Sequence, residues 1–481
     1  MVAEDIKVAR MQRLTIIGSL LLLPLALQPV ARAGEQSSGV STMTEASVPI
    51  VIGKSVVALN GPWKFHPGDD PQWSDPNFDD SSWETVDLTA PAGAHDSDVG
   101  LSGYVPGWTS RGHAGYWGYG WYRMRVPVTA SSREALALAG PPDVDSAYQV
   151  FVNGQLAGSA GKFTGPTPMA YSMQPRMFPL PRSPALTSGE NDLFFVIAFR
   201  VWMGPWELSD PEAGGIHIAP ALGESDGVRA HYQVQWLETV RGYVVEVVEA
   251  VSFLLLAVMA SSLLAFDRRG RAYRWLLLAM VLTALMRVNQ ALFFWGQFET
   301  VQEFELITPV LLIPMMLGAW TMAWRCWFRL RDTTWMPAVI GGLTPLYVSS
   351  QFLNRSRSHG IFSHPLISSA GFISTGVRLL FALLMILIVY KGVRQQGREG
   401  WFAVPAVVLI SVGLFAQELS ALHIRGIWFP FGTGVSRTQF AYAAFLVAQF
   451  ALLLRRLLLF ARRERGAAGS GHFAWSKEFS S

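Results

Sequence analysis

Residues 243–460 hold seven apolar stretches: 244–266, 275–296, 306–328, 336–353, 367–390, 402–422 and 438–454. No other feature of the chain limits its folding as strongly. Each has about 17–25 mostly apolar residues, the length that crosses about 30 Å of hydrocarbon. A backbone in lipid finds no water to bond, so it must satisfy its own N–H and C=O groups, and helices are expected. Only 15% of the chain is charged while 51% is hydrophobic, a balance suited to a part-membrane protein. A net charge of +3 gives no basis for a nucleic-acid partner.

Basic residues orient the block. With the loop after the first stretch cytoplasmic, the inner side carries fifteen, among them Arg268, Arg269, Arg271, Arg274, Arg325, Lys391, Arg455 and Arg456. The outer side carries four: Arg355, Arg357, Arg425 and Arg437. An excess of Lys and Arg marks the cytoplasmic side. The N-terminus agrees: Lys7, Arg10 and Arg13 precede an apolar run over 14–27 and the small-x-small site Ala31-Arg32-Ala33, the pattern of a signal peptide over 1–33. Cleavage there, or retention as an anchor, leaves the next domain exported. The expected location is the inner membrane, with seven spans, an outer N-terminus and a cytoplasmic C-terminus.

After a linker over 34–50, residues 51–224 break into short apolar runs such as Ala147-Tyr148-Gln149-Val150-Phe151-Val152, split by Gly, Pro, Asn and Asp. Alternation and aromatic enrichment predict strands, and their spacing predicts an all-β sandwich. Asn153-Gly154 is a two-residue hairpin signal. Cys326 is the sole cysteine, so there is no intrachain disulfide. No cofactor or metal is expected.

Five pieces follow in order: Leu59-Asn60-Gly61-Pro62-Trp63-Lys64-Phe65, Phe78-Asp79-Asp80-Ser81-Ser82-Trp83, Gly120-Trp121-Tyr122-Arg123, Val152-Asn153-Gly154 and Gly214-Gly215-Ile216. Together they resemble the sugar-binding jelly-roll domain at the front of family 2 glycoside hydrolases. The resemblance implies two packed antiparallel sheets and a carbohydrate or other small extracytoplasmic ligand. It does not imply hydrolysis, because in that family the catalytic carboxylates lie on a separate barrel, so the chain is expected not to be an enzyme. It also implies that Asp79 and Asp80 sit in a structural turn, and Trp63, Trp83 and Trp121 are expected in the core. Exposed aromatic and charged groups on loops are where binding concentrates. The candidates are Trp108, Arg111, His113, Tyr116 and Trp117 on the glycine-rich loop 103–120, and Arg200, Trp202 and Trp206 near the end of a strand. The alternative is that both groups pack over the sheet ends or dock on the bundle.

Residues 225–242 are more polar and predict a short helix feeding the first span. An exported sandwich before seven spans resembles the bacterial seven-transmembrane receptors with diverse intracellular signalling modules. In that family a kinase, cyclase-like or phosphatase module follows the last helix. Here 461–481 form a short tail whose run Gly466-Ala467-Ala468-Gly469-Ser470-Gly471 is expected to stop any helix. The output would then come from a separate cytoplasmic phosphatase, kinase or cyclase, with a homodimer compatible and membrane lipid as the other partner. A non-signalling surface binder, or a receptor without its output domain, is the alternative. Ionisable residues inside spans are costly and mark function or helix order. Glu246, Glu249, Arg287, Arg378 and Glu418 are expected to form one polar core, with Glu249 or Glu418 paired to Arg287 or Arg378.

Overall fold

The computed structural model describes residues 50–52, 56–96, 101–130, 135–180, 193–266, 270–355, 364–420 and 437–478. The expected signal peptide lies outside them, as does the linker except for Ile50.

The first half is built of strands: β1 (Ile50–Ile52), β2 (Val57–Ala58), β3 (Trp63–Pro67), β4 (Glu84–Val86), β5 (Gly118–Ala130), β6 (Leu136–Ala139), β7 (Val144–Asp145), β8 (Ala147–Val152), β9 (Gln155–Ala160), β10 (Met177–Pro179), β11 (Leu193–Met203), β12 (Gly215–Ile216) and β13 (Ala221–Glu224). One sheet runs β4-β3-β5-β11-β8-β9, with β1 parallel to β5. The other runs β10-β6-β13-β2, and β7 pairs with β12. Their facing side chains make one core: Trp63, Tyr122, Val150 and Phe199 from the first sheet, and Leu138, Phe178 and Leu222 from the second. This is the expected sandwich.

Local chemistry sets the hairpin between β8 and β9. Asn153 has φ 49° and Gly154 φ 79°, the double left-handed turn whose twist matches flanking strands. Asn153 also ties the turn inward: its Oδ1 accepts from Val196 N at 2.9 Å and its own N donates to Val196 O at 2.9 Å.

The second half is helical: α1 (Ser225–Phe266), α2 (Arg271–Trp295), α3 (Val301–Glu305), a π-helical segment (Leu306–Leu312), α4 (Ile313–Trp327), α5 (Met336–Arg355), α6 (His364–Gln396), α7 (Arg398–Leu414), α8 (Ala416–Ser420) and α9 (Arg437–Glu478). The π segment contains Pro309, which lacks an N–H and clashes with the preceding turn, so the helix widens there. One apolar core binds these helices, with Phe253, Trp320, Phe381, Ile410 and Phe445 at its centre.

Among the described residues, five helical stretches rather than the expected seven are long and apolar enough to cross a membrane: Ser225–Ala265, Arg271–Trp295, Val301–Trp327, Ser369–Gln396 and Gln439–Arg462. The expected fourth and sixth spans are helices too, but α5 carries Ser349, Ser350, Gln351 and Pro345, and α7 is 17 residues long and ends at Leu414. Both still contribute buried side chains to the common core, such as Tyr347 and Val407. The tail is a correction: α9 continues through Gly466–Gly471 as helix. Glycine inside a helix costs about 1 kcal/mol relative to alanine but is not barred, and good helix formers flank the run.

The connector is likewise not a separate short helix. α1 is one continuous element of 42 residues, about 63 Å long, roughly twice the hydrocarbon thickness. Its first turn is anchored in the sandwich, where Val228 is buried with Ala137, Ala139 and Ala221. Three further contacts join the halves. Val301 N donates to Ala170 O at 3.0 Å, Gln174 Nε2 donates to Phe294 O at 3.4 Å, and the turn Pro205–Ser209 lies against α5.

Candidate functional site

The turns that carry the sequence motifs are structural. Asp79 Oδ1 accepts from Ser81 N at 3.0 Å, and Asp80 Oδ2 accepts from Arg123 Nε at 2.9 Å. Arg123 is wholly buried and also donates to Asp75 O at 3.0 Å and to Trp73 O. Trp63, Trp83 and Trp121 are buried, as expected.

The aromatic candidates divide. Trp108, Trp202 and Trp206 are buried at 1%, 3% and 7% exposure, which removes them as ligand-facing groups. Trp108 fills the core beside Phe65, 5.6 Å between ring centres. It needs the bare backbone of Gly214 (φ 99°), where a Cβ would come within 2.3 Å of the indole nitrogen, so the Gly-Gly pair is a packing device. Trp202 and Trp206 cluster with Ala147 and Ala170, and Val301 from the helical half packs on them. Tyr119 and Phe163 of the sandwich pack on the same cluster. Arg200 is engaged as well: it lies 4.0 Å over the Tyr119 ring and bonds both oxygens of Asp69 at 2.7 and 2.5 Å. On the loop, His113 Nε2 meets Glu84 Oε1 at 2.6 Å, Tyr116 Oη donates to Tyr119 O at 2.5 Å, and Arg111 reaches Asp87 O at 3.5 Å. Trp117 is exposed at 50%.

The structure places a concave site elsewhere. A cavity of about 710 Å³ lies between the sandwich and α1. Asn60, Thr89, Ser102 and Ile218 form its sandwich wall, and His231, Gln235, Glu238 and Arg241 its helix wall. Their spacing of three and four residues puts these four on one helix face. Gln235 Oε1 is buried without a hydrogen-bond partner. Such a cavity can seat a small polar molecule between hydrogen-bonding groups and apolar walls. The sequence signal was present in the polar stripe of the connector, but nothing in the sequence says that a sheet faces it.

A second polar cluster lies within the sandwich. His217, 2% exposed, bonds Asp145 Oδ2 through Nε2 at 2.9 Å and Val105 O through Nδ1 at 3.0 Å. Burial alone would lower its pKa, but the Asp145 charge and hydrogen bond outweigh burial and push it up to about 10. For Asp145 burial acts upward, and His217 overcomes it and holds the carboxyl low. Glu207 accepts from Ser146 Oγ at 2.5 Å and Trp206 Nε1 at 3.1 Å. Burial first, and the Asp145 charge second, raise the Glu207 pKa well above the ordinary carboxyl range.

In the bundle the expected single polar core is two groups on different helices. Arg287 on α2 bonds Glu246 Oε2 at 2.5 Å and lies 3.2 Å from Glu249 Oε2, both on α1. Gln439 on α9 donates to Glu246 Oε1 at 2.8 Å. Arg378 on α6 pairs with Glu418 on α8 at 2.5 Å and donates to Tyr347 Oη on α5 at 3.0 Å.

No family model matches the chain, and no curated protein matches it. Among solved structures it is similar to a calcium-binding mutant of Bacteroides uniformis beta-glucuronidase 2, with 20% identity over 35% of this chain and 18% of that one, at a TM-score of 0.24. A beta-glucuronidase from glycoside hydrolase family 2 gives 22% identity over 35% and 17%, at 0.23. A Bacteroides vulgatus beta-glycosidase gives 18% over 35% and 20%, at 0.23. This chain therefore spans at most a fifth of the length of these three.

Proposed function

We propose that this chain is a membrane sensor that binds a small polar ligand, of carbohydrate class, in the cavity between sandwich and α1 and passes the event through the helices to a separate cytoplasmic effector. The observation that carries the reading is the double role of α1. One face of its first half walls the cavity, and the same unbroken helix continues into the first apolar span. A ligand that draws Gln235 or Arg241 toward the sandwich would act on one continuous helix, in which Gly242 lies between the cavity wall and the first apolar span. The carbohydrate class is supported by the mixture of amide, hydroxyl, imidazole, carboxylate and guanidinium groups on the walls, which suits a polyhydroxylated molecule, and by the five sequence pieces noted above. In this reading the chain binds its ligand without hydrolysing it.

The test uses the full chain in lipid nanodiscs, with melting followed against a panel of neutral sugars, uronic acids and oligosaccharides. A ligand at 100 times its Kd raises stability by about 2.7 kcal/mol. One class of sugar should raise Tm, and Arg241→Ala or Gln235→Ala should weaken that response at least tenfold. A panel without effect, or a response that both variants leave intact, would sink the site. Crosslinking in cells then separates the two readings of its output. A cytoplasmic enzyme recovered with the intact chain and lost on deletion of 455–481 supports signalling, and sugar binding with no such enzyme leaves a surface binder.

A further inference from the structure

Two carboxyl groups and one guanidinium meet in the apolar bundle, and the three are unequally bonded. Glu246, Glu249 and Arg287 are 1%, 2% and 6% exposed. Both Glu246 oxygens are engaged, Oε2 by Arg287 Nη1 and Oε1 by Gln439 Nε2. Glu249 differs: neither oxygen takes part in a hydrogen bond, although Oε2 lies 3.2 Å from Arg287 Nε. Among the described residues, the charged and titratable groups facing the pair are few. Arg287 comes from α2 and lies 4.3 Å over the Tyr442 ring of α9, and Gln439 of α9 is a neutral amide. Arginine does not give up its proton in proteins. Two ionised carboxylates would therefore leave one surplus negative charge in an apolar interior, and such a charge is removed by taking up a proton.

We infer that this cluster is a proton-binding site, with Glu246–Arg287 as its ion pair and the proton seated on the Glu249 carboxyl. The inference needs the bundle to be dry and lipid-embedded and does not depend on a ligand in the cavity. It places a bound proton on the helix that walls the cavity, since Arg241 precedes Glu249 by eight residues, about 12 Å along the axis. Release of that proton would put net charge between α1, α2 and α9.

Infrared spectroscopy of the full chain in nanodiscs of neutral lipid reads the proton directly, through the carbonyl stretch of a buried carboxylic acid. Glu207 in the sandwich is also expected to be protonated, so Glu207→Gln serves as the background. In that background a slowly exchanging acid band should remain at neutral pH and vanish on adding Glu249→Gln. It should vanish equally with Glu246→Gln, because one carboxylate against one guanidinium needs no proton. The neutral isostere Glu249→Gln should also melt at the wild-type temperature at neutral pH. A band that survives Glu249→Gln overturns the proposal, as does a band lost when Na+ is raised at fixed pH, which would mean a bound cation instead. A fall in Tm of ~4 °C or more for Glu249→Gln overturns it too, since the fold would then be using an ionised Glu249.

Discussion

The sandwich and the bundle each set two carboxyl groups against one cation. In the sandwich these are Asp145 and Glu207 with His217, and in the bundle Glu246 and Glu249 with Arg287. The two differ in what surrounds them. Asp145 keeps 29% of its side chain exposed, and Glu207 is bonded by a hydroxyl and an indole. The bundle triad is almost wholly buried, and Glu249 has no hydrogen-bond donor set on its oxygens. In both clusters the surplus carboxyl is expected to hold a proton, and the difference lies in its seating: Ser146 and Trp206 donate to Glu207, while Glu249 in the apolar core has no such donors. The cations differ as well. His217 can lose its proton within an accessible pH range, and Arg287 cannot.

Removing the cation is the strongest way to separate the two. Arg287→Met leaves both bundle carboxyls without a counter-charge, and breaking a buried pair costs about 3–5 kcal/mol. Thermal melting of the full chain in nanodiscs should show a large drop or failure to accumulate. A variant that expressed and melted normally but lost its ligand response would mean the ion pair acts as a switch rather than a fixed tie between helices. His217→Ala should cost less, roughly 2–3 kcal/mol for lost charge-assisted bonds, because water still reaches Asp145.

The same histidine gives the sandwich a pH profile. Its pKa rises from 6.5 to about 10 on folding. Its contribution is therefore complete below about 6.5 and fades as pH climbs through about 10. Wild-type Tm should fall across that window more steeply than the Tm of His217→Ala, and equal slopes would show that His217 is not the titrating group. The smallest effect is expected for Glu207→Gln, within about 0.5 kcal/mol at neutral pH. The amide keeps an acceptor for Ser146 and Trp206 and offers Asp145 a donor, as the protonated acid does. A loss well beyond that would mean Glu207 is needed as an anion.

Much of the fold could be read from the residues one at a time. The Asn153-Gly154 turn, the buried Trp63, Trp83 and Trp121, and the helical nature of the second half each follow from local pattern. The candidate site could not. Trp108 sits on a glycine-rich loop and Trp202 and Trp206 near the end of a strand, places that look exposed, yet Gly214 lets Trp108 into the core and Val301 packs on the cluster of Trp202 and Trp206. The polar stripe from His231 to Arg241 was visible as residues but had no partner until the sheet was placed beside it. Even the ionisable residues of the bundle, singled out as a set, separated into two groups only once the helices were ordered.

What the sequence by itself determined about this protein is periodicity: strands before residue 225, long apolar helices after it, and turns where glycine and asparagine permit left-handed backbone. Those are properties of neighbours along the chain, set by propensity and the spacing of apolar residues. Only the tertiary structure decided that the sandwich docks on the bundle and which carboxyl meets which arginine. Those depend on residues as far apart as Glu246 and Gln439, or Ala170 and Val301, whose meeting is set by packing across the whole molecule and leaves no mark on the local pattern.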